Sequence, residues 1–227
     1  EGCLGHDLEW MAPTQYFDNL AIRMHGNDFY SQFLLANVSF TDPRIRATWA
    51  QLLPLIDRGF WSRKPKLDQP GRFALDWLPH FASGDVTLWC GFDSIAAGAV
   101  PLGAPAEDIL AFKFPDYHGS GMTVENGPGN NGALTAIIAF GVPINSAFHE
   151  RALKFVDYMA NTTNQARVVM SNKPGIYTPR RSLRDLLKSN RTRLTYEELV
   201  KADRAFERSS LGGFGFVEVL SQWQNLT

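Results

Sequence analysis

The chain has 227 residues, 44% of them hydrophobic and 20% charged, which is the balance of a globular domain able to bury one large core or two small ones. Its 22 Lys+Arg against 23 Asp+Glu leave a formal net charge of -1, so no strong global field exists to draw in nucleic acid or an anionic membrane surface. No run approaches the roughly 18 uncharged apolar residues that a membrane helix needs.

Residues 1–6 carry no basic segment followed by an apolar stretch, a pattern that mature secreted proteins share. Cys3 and Cys90 lie too far apart for a metal-binding knuckle, and free, buried thiols are preferred over a disulfide between them. Pro13 suits a first helical position, and Tyr16, Phe17, Leu20, Ala21 and Met24 recur at helical spacing until Gly26, where the helix is expected to stop. Thr41-Asp42-Pro43 is a strong helix start. Ile45, Trp49, Leu52, Leu53 and Ile56 then share one apolar face, with Pro54 inside the helix, where a kink is expected, and Gly59 closing it. A third helix is predicted over 73–82, ending at Ser83-Gly84.

The period then changes. Residues 86–91 (VTLWCG) and 109–114 (ILAFKF) are short, apolar and bounded by Gly or Pro, and are predicted as buried strands. Residues 117–132, rich in Gly and Asn, are predicted as loop, and 134–142 (LTAIIAFGV) as a third strand. Phe148, Ala152, Phe155, Val156 and Met159 share one face of an amphipathic helix, and a short helix follows over 164–170. Beyond Lys173-Pro174-Gly175 the chain is expected to be helical and charged to its end. Short strands among many helices predict an α/β fold weighted toward helix.

Four blocks, taken in order, resemble the family 1 extracellular solute-binding proteins, the sugar-binding group of bacterial ABC transporters. They are 10–30 (WMAPTQYFDNLAIRMHGNDFY), 39–60 (SFTDPRIRATWAQLLPLIDRGF), 81–93 (FASGDVTLWCGFD), and 112–115 (FKFP) with 142–160 (VPINSAFHERALKFVDYMA). The resemblance covers roughly residues 10–185 and implies a type II periplasmic-binding-protein fold: a helix-rich second lobe plus a segment of the first lobe. Residues 1–133 and 177–227 are then expected in the second lobe, and 134–176 in the first lobe and hinge crossing. Most of the family's first lobe would lie upstream of these blocks. Asp93 stands where the family usually places Trp or Phe.

The resemblance implies carbohydrate binding in an interlobe cleft, delivery to an ABC transporter permease, and a periplasmic or extracellular location, with a lipid anchor as one form of the full-length protein. No catalysis, cofactor, metal or nucleic-acid partner is implied. The alternatives are a sensor or interaction domain of the same fold and, behind it, a carbohydrate-active enzyme with carboxylates such as Asp93, Asp116 and Glu125. If 134–176 belongs to the first lobe, self-association through that segment is expected, because its strand edge and the Phe148, Phe155 and Val156 face would otherwise lie bare.

Trp10, Tyr16 and Tyr177 are candidate stacking platforms for the C–H face of a sugar ring, with core packing as the competing role for each. Phe92 and Asp93 follow from the third block. Asp93 would accept hydrogen bonds from hydroxyls or pair with an amine. Arg181, after Thr178-Pro179, could hold two hydroxyls or a carboxylate. Residues 127–132 (GPGNNG) match G-x-G-x-x-G literally, but they follow a loop and precede an apolar, strand-like run, so they are read as a cleft-lip loop offering Asn130 and Asn131. The five histidines (His6, His25, His80, His118, His149) show no metal spacing, and no G-x-S-x-G elbow occurs. Between 180 and 208, nine Lys/Arg interleave with five Asp/Glu, the pattern of a solvated helical face.

Overall fold

Helix α1, Met11–Leu34, supplies most of the main core in a computed structural model that describes residues 11–58, 73–89, 98–125, 128–135, 141–171 and 181–207. The predicted stripe is buried as expected, but so are Ile22, Arg23, His25 and Asn27, so the helix is enclosed on most sides. Helix α2, Pro43–Asp57, packs along it, with the Trp49 ring stacked on Phe17 at 4.8 Å between centroids. Ile45 and Leu52 complete that interface. Pro54 lies inside α2, which runs as one helix from Pro43 to Asp57.

Gly26 does not stop α1 as expected. It adopts φ 87, ψ 167, a conformation nearly confined to glycine, and a second helical stretch continues beyond it to Leu34. The chain therefore breaks inside the core. The true end of α1 is a pair of bonds, Ala36 N–H to the Phe33 carbonyl and Asn37 N–H to the Gln32 carbonyl, with Ala36 at φ 58 in the left-handed position usually given to glycine.

Helix α3 spans Phe73–Ala82, the predicted range, and turns at Ser83-Gly84. Its Leu78 packs with Ala99 and Ala104 in a second, smaller cluster, flanked by Phe81 and Ile109. The predicted strand at 109–114 is corrected by the structure, and the one at 86–91 is described only as far as 89, with 90–91 outside the described residues. Within 86–89 only Leu88 makes a bridge, and 109–114 has no strand ladder. The second run is extended but one-sided: Phe114 meets the core through an edge contact with Tyr16, while Leu110 and Phe112 stand 82% and 71% exposed. Its apolarity serves one inward face and leaves the other bare.

The sheet is small. β1, Ala133–Thr135, pairs in parallel with β2, Ala205–Glu207, placing Leu134 opposite Phe206. The expected strand over 134–142 is thus described only at its start: 136–140 lie outside the described residues, and 141–142 are irregular. β2 also corrects the expectation of an entirely helical tail. Phe206 sets its ring edge-on to Tyr30 at 5.1 Å, and Arg204 pairs with Asp28 at 2.8 Å, so β2 is fixed to the second half of α1.

Helix α4, His149–Ala160, and α5, Thr162–Met170, form a hairpin, followed by a 3-10 segment at Arg181–Leu186 and α6, Asn190–Lys201. Asn161 caps α5 and Ser189 caps α6 through side-chain oxygens that accept from Thr163 and Thr192 N–H groups. Val169, Leu187 and Tyr196 make a third cluster here. No residue of α4 is buried, and Phe148 and Phe155 are 66% and 52% exposed. The fold is helix-rich α/β with a two-stranded parallel sheet among the described residues.

Candidate functional site

The break at Gly26 removes helical hydrogen bonds and leaves carbonyls of the preceding turn to be satisfied from elsewhere. The loop between Phe114 and Ala133 supplies the donors. Asn130 donates from Nδ2 to the Arg23 carbonyl at 2.9 Å, and the Thr123 N–H donates to the Met24 carbonyl at 2.8 Å. In return the Arg23 guanidinium donates from one nitrogen to the carbonyls of Asn130 and Gly132, at 2.6 and 3.0 Å. A sequence-distant loop is therefore stitched to α1 by reciprocal bonds.

Arg23 is 2% exposed. Burial pushes its pKa down from the usual guanidinium value, and the Asp116 carboxylate, 3.7 Å from Nε, opposes that. Asp116 is 48% exposed and also meets Lys113 at 3.3 Å, so it acts as a wet counter-charge at the rim of the seam. Of the three carboxylates considered for catalysis, Asp116 is thus engaged by two cations, Glu125 is exposed, and Asp93 lies outside the described residues.

Two residues on, the buried His25 ring meets Thr123 Oγ1 at 3.1 Å through Nδ1 and stands edge-on to Phe29 at 5.1 Å. Arg44 covers the same Phe29 ring at 4.4 Å and binds Asp42 through both Nε and a terminal nitrogen, at 3.0 and 2.8 Å. Asp42 is the N-cap of α2, accepting from the Arg44 N–H at 2.8 Å. The Arg44 side chain first, and its backbone N–H second, hold the Asp42 carboxyl down at about 2. An open groove of about 420 Å³ lies beside this end of α2, lined by Thr41, Pro43, Arg46, Ala47 and Ala50.

Asp42→Ala is expected to lower stability by about 1 kcal/mol at neutral pH, the usual cost of a lost N-cap. The folded-state pKa lies below the unfolded one, so Asp42's contribution is complete above 3.8 and is lost as pH falls toward about 2. Urea midpoints measured from pH 7 to pH 2 should show wild type and variant converging over that window. A constant gap down to pH 2 would remove the carboxylate from the account.

Of the eight ligand contacts expected from the sequence, Trp10, Phe92, Asp93 and Tyr177 lie outside the described residues, as do Cys3 and Cys90. Tyr16 is buried in the main core against Phe114. Asn130 is 2% exposed and holds the Arg23 carbonyl. Asn131 is partly exposed and reaches the α6 end, donating from Nδ2 to the Lys201 carbonyl at 3.4 Å and accepting from the Asp203 N–H. Arg181 is exposed at the start of the 3-10 segment. The structure joins Asn130 to Asn131 in one anchored loop and sets Tyr16 and Arg181 on other elements.

Sequence reasoning missed Arg23, His25 and Thr123. The available signal was polar residues at positions 23, 25 and 27 around a mid-helix glycine. Among the described residues no cluster of His, Cys, Asp and Glu could hold a metal, and no helix is long and apolar enough to cross a membrane. No family model, curated protein or solved structure matches the chain.

Proposed function

We propose that this chain binds a carbohydrate as part of an extracellular solute-binding protein and delivers it to an ABC transporter permease. The observation that carries this reading is the order and spacing of the four sequence blocks. The first two fall on α1 and α2, the third begins on α3, and the last ends on α4. The helix-rich α/β architecture is compatible with the second lobe of a type II periplasmic-binding fold. In this reading 1–133 and 177–227 form that lobe, 134–176 crosses to the first, and the β1–β2 pairing lies at the crossing.

Two bare apolar surfaces support the reading. Leu110 and Phe112 stand out from the extended segment, and Phe148 and Leu153 from the start of α4. A single lobe of a two-lobed protein presents such surfaces, and a lobe separated from its partner would self-associate through 134–176. Hinge closure on the sugar would then generate the state the permease recognises.

Calorimetry against sugars, amino acids and polyamines tests the ligand class, with mono- or oligosaccharide binding expected. Asp93→Asn is expected to weaken it by about 1–3 kcal/mol, the cost of a degraded buried hydrogen bond. An amino-acid or polyamine binder without sugar affinity sinks the proposal. No small-molecule binding with a captured protein partner would favour the sensor-domain alternative. Light scattering on the same samples reads the self-association, which a stable monomer at high concentration would remove.

A further inference from the structure

We propose that His25 is a pH-sensitive latch: proton uptake on its buried ring frees the loop around Thr123 from the break in α1 while the α1–α2 core stays folded. The ring is 4% exposed and sits one residue before Gly26, where the broken helix exposes the carbonyl that Thr123 N–H occupies. Its surroundings differ in strength on the two sides. Toward α2, Phe29 and Arg44 are held by the aromatic core and by the bidentate Asp42–Arg44 pair. Toward the loop, the contacts around Thr123 are its two hydrogen bonds, to His25 and Met24, and Val124 lying against Gly26.

The charges that reach the ring, among the described residues, are Arg44 and Asp42 at the start of α2. Burial lowers the His25 pKa first of all, the Arg44 backbone opposes this, the Arg44 guanidinium adds to it, and the Asp42 carboxylate opposes it. On the loop side Asp116 is engaged by Arg23 and Lys113, and Glu125 is exposed. On α1 itself Asp28 is paired with Arg204. The imidazolium is therefore enclosed with no carboxylate committed to it.

An imidazolium in this position gains water most directly by displacing Thr123, because the α2 side is locked. The folded pKa lies below the ordinary 6.5, so the neutral, closed form is fully favoured above 6.5 and loses ground as pH falls through the folded value. The loop that opens continues to Asn130, which remains tied to Arg23, and to Asn131, which remains tied to the end of α6. The inference stands on this junction alone, without the carbohydrate reading.

Amide exchange by mass spectrometry, corrected for the intrinsic pH dependence of exchange, tests it on the full 227-residue chain. Between pH 7.5 and pH 5, exchange at 121–125 should speed as protection of the loop is lost, while α2 and the first half of α1 keep their protection. His25→Gln should abolish the response. Asp42→Asn removes the one nearby carboxylate, lowers the folded His25 value further and should enlarge the loss of protection at low pH. A loop whose protection is independent of pH, a response that survives His25→Gln, or α2 losing protection in step would each overturn the proposal. Should His25→Gln fail to fold, NMR titration of the wild-type His25 ring decides: a pKa at or above 6.5 overturns it, and one below sustains it.

Discussion

Arg23→Met is expected to lower the unfolding free energy by about 2–4 kcal/mol, whereas Asp116→Asn should change it by about 0.5 kcal/mol or less. The contrast follows from where each partner sits. Arg23 is 2% exposed and donates to two carbonyls, those of Asn130 and Gly132, both in buried residues. Methionine fills much of the same volume but leaves both acceptors dry, and each unsatisfied buried group costs about 1–3 kcal/mol. Part of that is returned because a desolvated cation is removed as well. Asp116 is half-exposed, 3.7 Å away and shared with Lys113, so solvent screens what it contributes. Arg23→Lys should fall between the two, keeping the charge but losing the planar geometry that reaches two carbonyls from one nitrogen. Urea unfolding at pH 7 reads the series. If Asp116→Asn costs as much as Arg23→Met, the ion pair and not the carbonyl clamp holds the loop.

The helices were legible because each carries its own punctuation. Asp42-Pro43 starts α2 through a cap that operates within three residues, and the Ser83-Gly84 turn ends α3 locally. The strands were not legible to the same degree. A run such as 109–114 has the composition of a buried strand, yet a strand exists only if another segment lies alongside it, and that depends on the whole fold. β2 shows the converse: Ala205–Glu207 sits among charged residues and becomes a strand because Phe206 finds Tyr30 and Leu134. The seam at Gly26 was hidden for a similar reason. Gly26 reads as a helix stop, and only the approach of a loop about a hundred positions away turns the stop into a break that the core retains. Asn130 was singled out as a polar group for a ligand, but its amide serves the Arg23 carbonyl, and nothing local distinguishes the two uses.

Gly26→Ala should cost about 2–4 kcal/mol and loosen the same loop, because two separate penalties coincide at one residue. The first is conformational. At φ 87, ψ 167 the backbone lies in a region that residues with a Cβ enter only at about 1–3 kcal/mol. The second is steric. A methyl there would stand 3.0 Å from the Gly129 carbonyl oxygen and 3.2 Å from Val124 Cγ1. Val124 can rotate away, but Gly129 is backbone, held next to Asn130, whose carbonyl and amide both bind Arg23. Relief therefore requires moving the loop or straightening α1. Straightening would return the Met24 carbonyl to the helix and expel Thr123, and it would redirect every side chain from Asn27 to Leu34. Phe29, Tyr30 and Phe33 are buried in their present directions, so that route costs more than lifting the loop. The variant is thus expected to keep its helical circular dichroism, lose stability, and show faster amide exchange at 121–132. One control separates the penalties: Val124→Ala on the Gly26→Ala background should recover only the side-chain part. An alanine at position 26 as stable as wild type would mean that α1 runs straight through that position in solution.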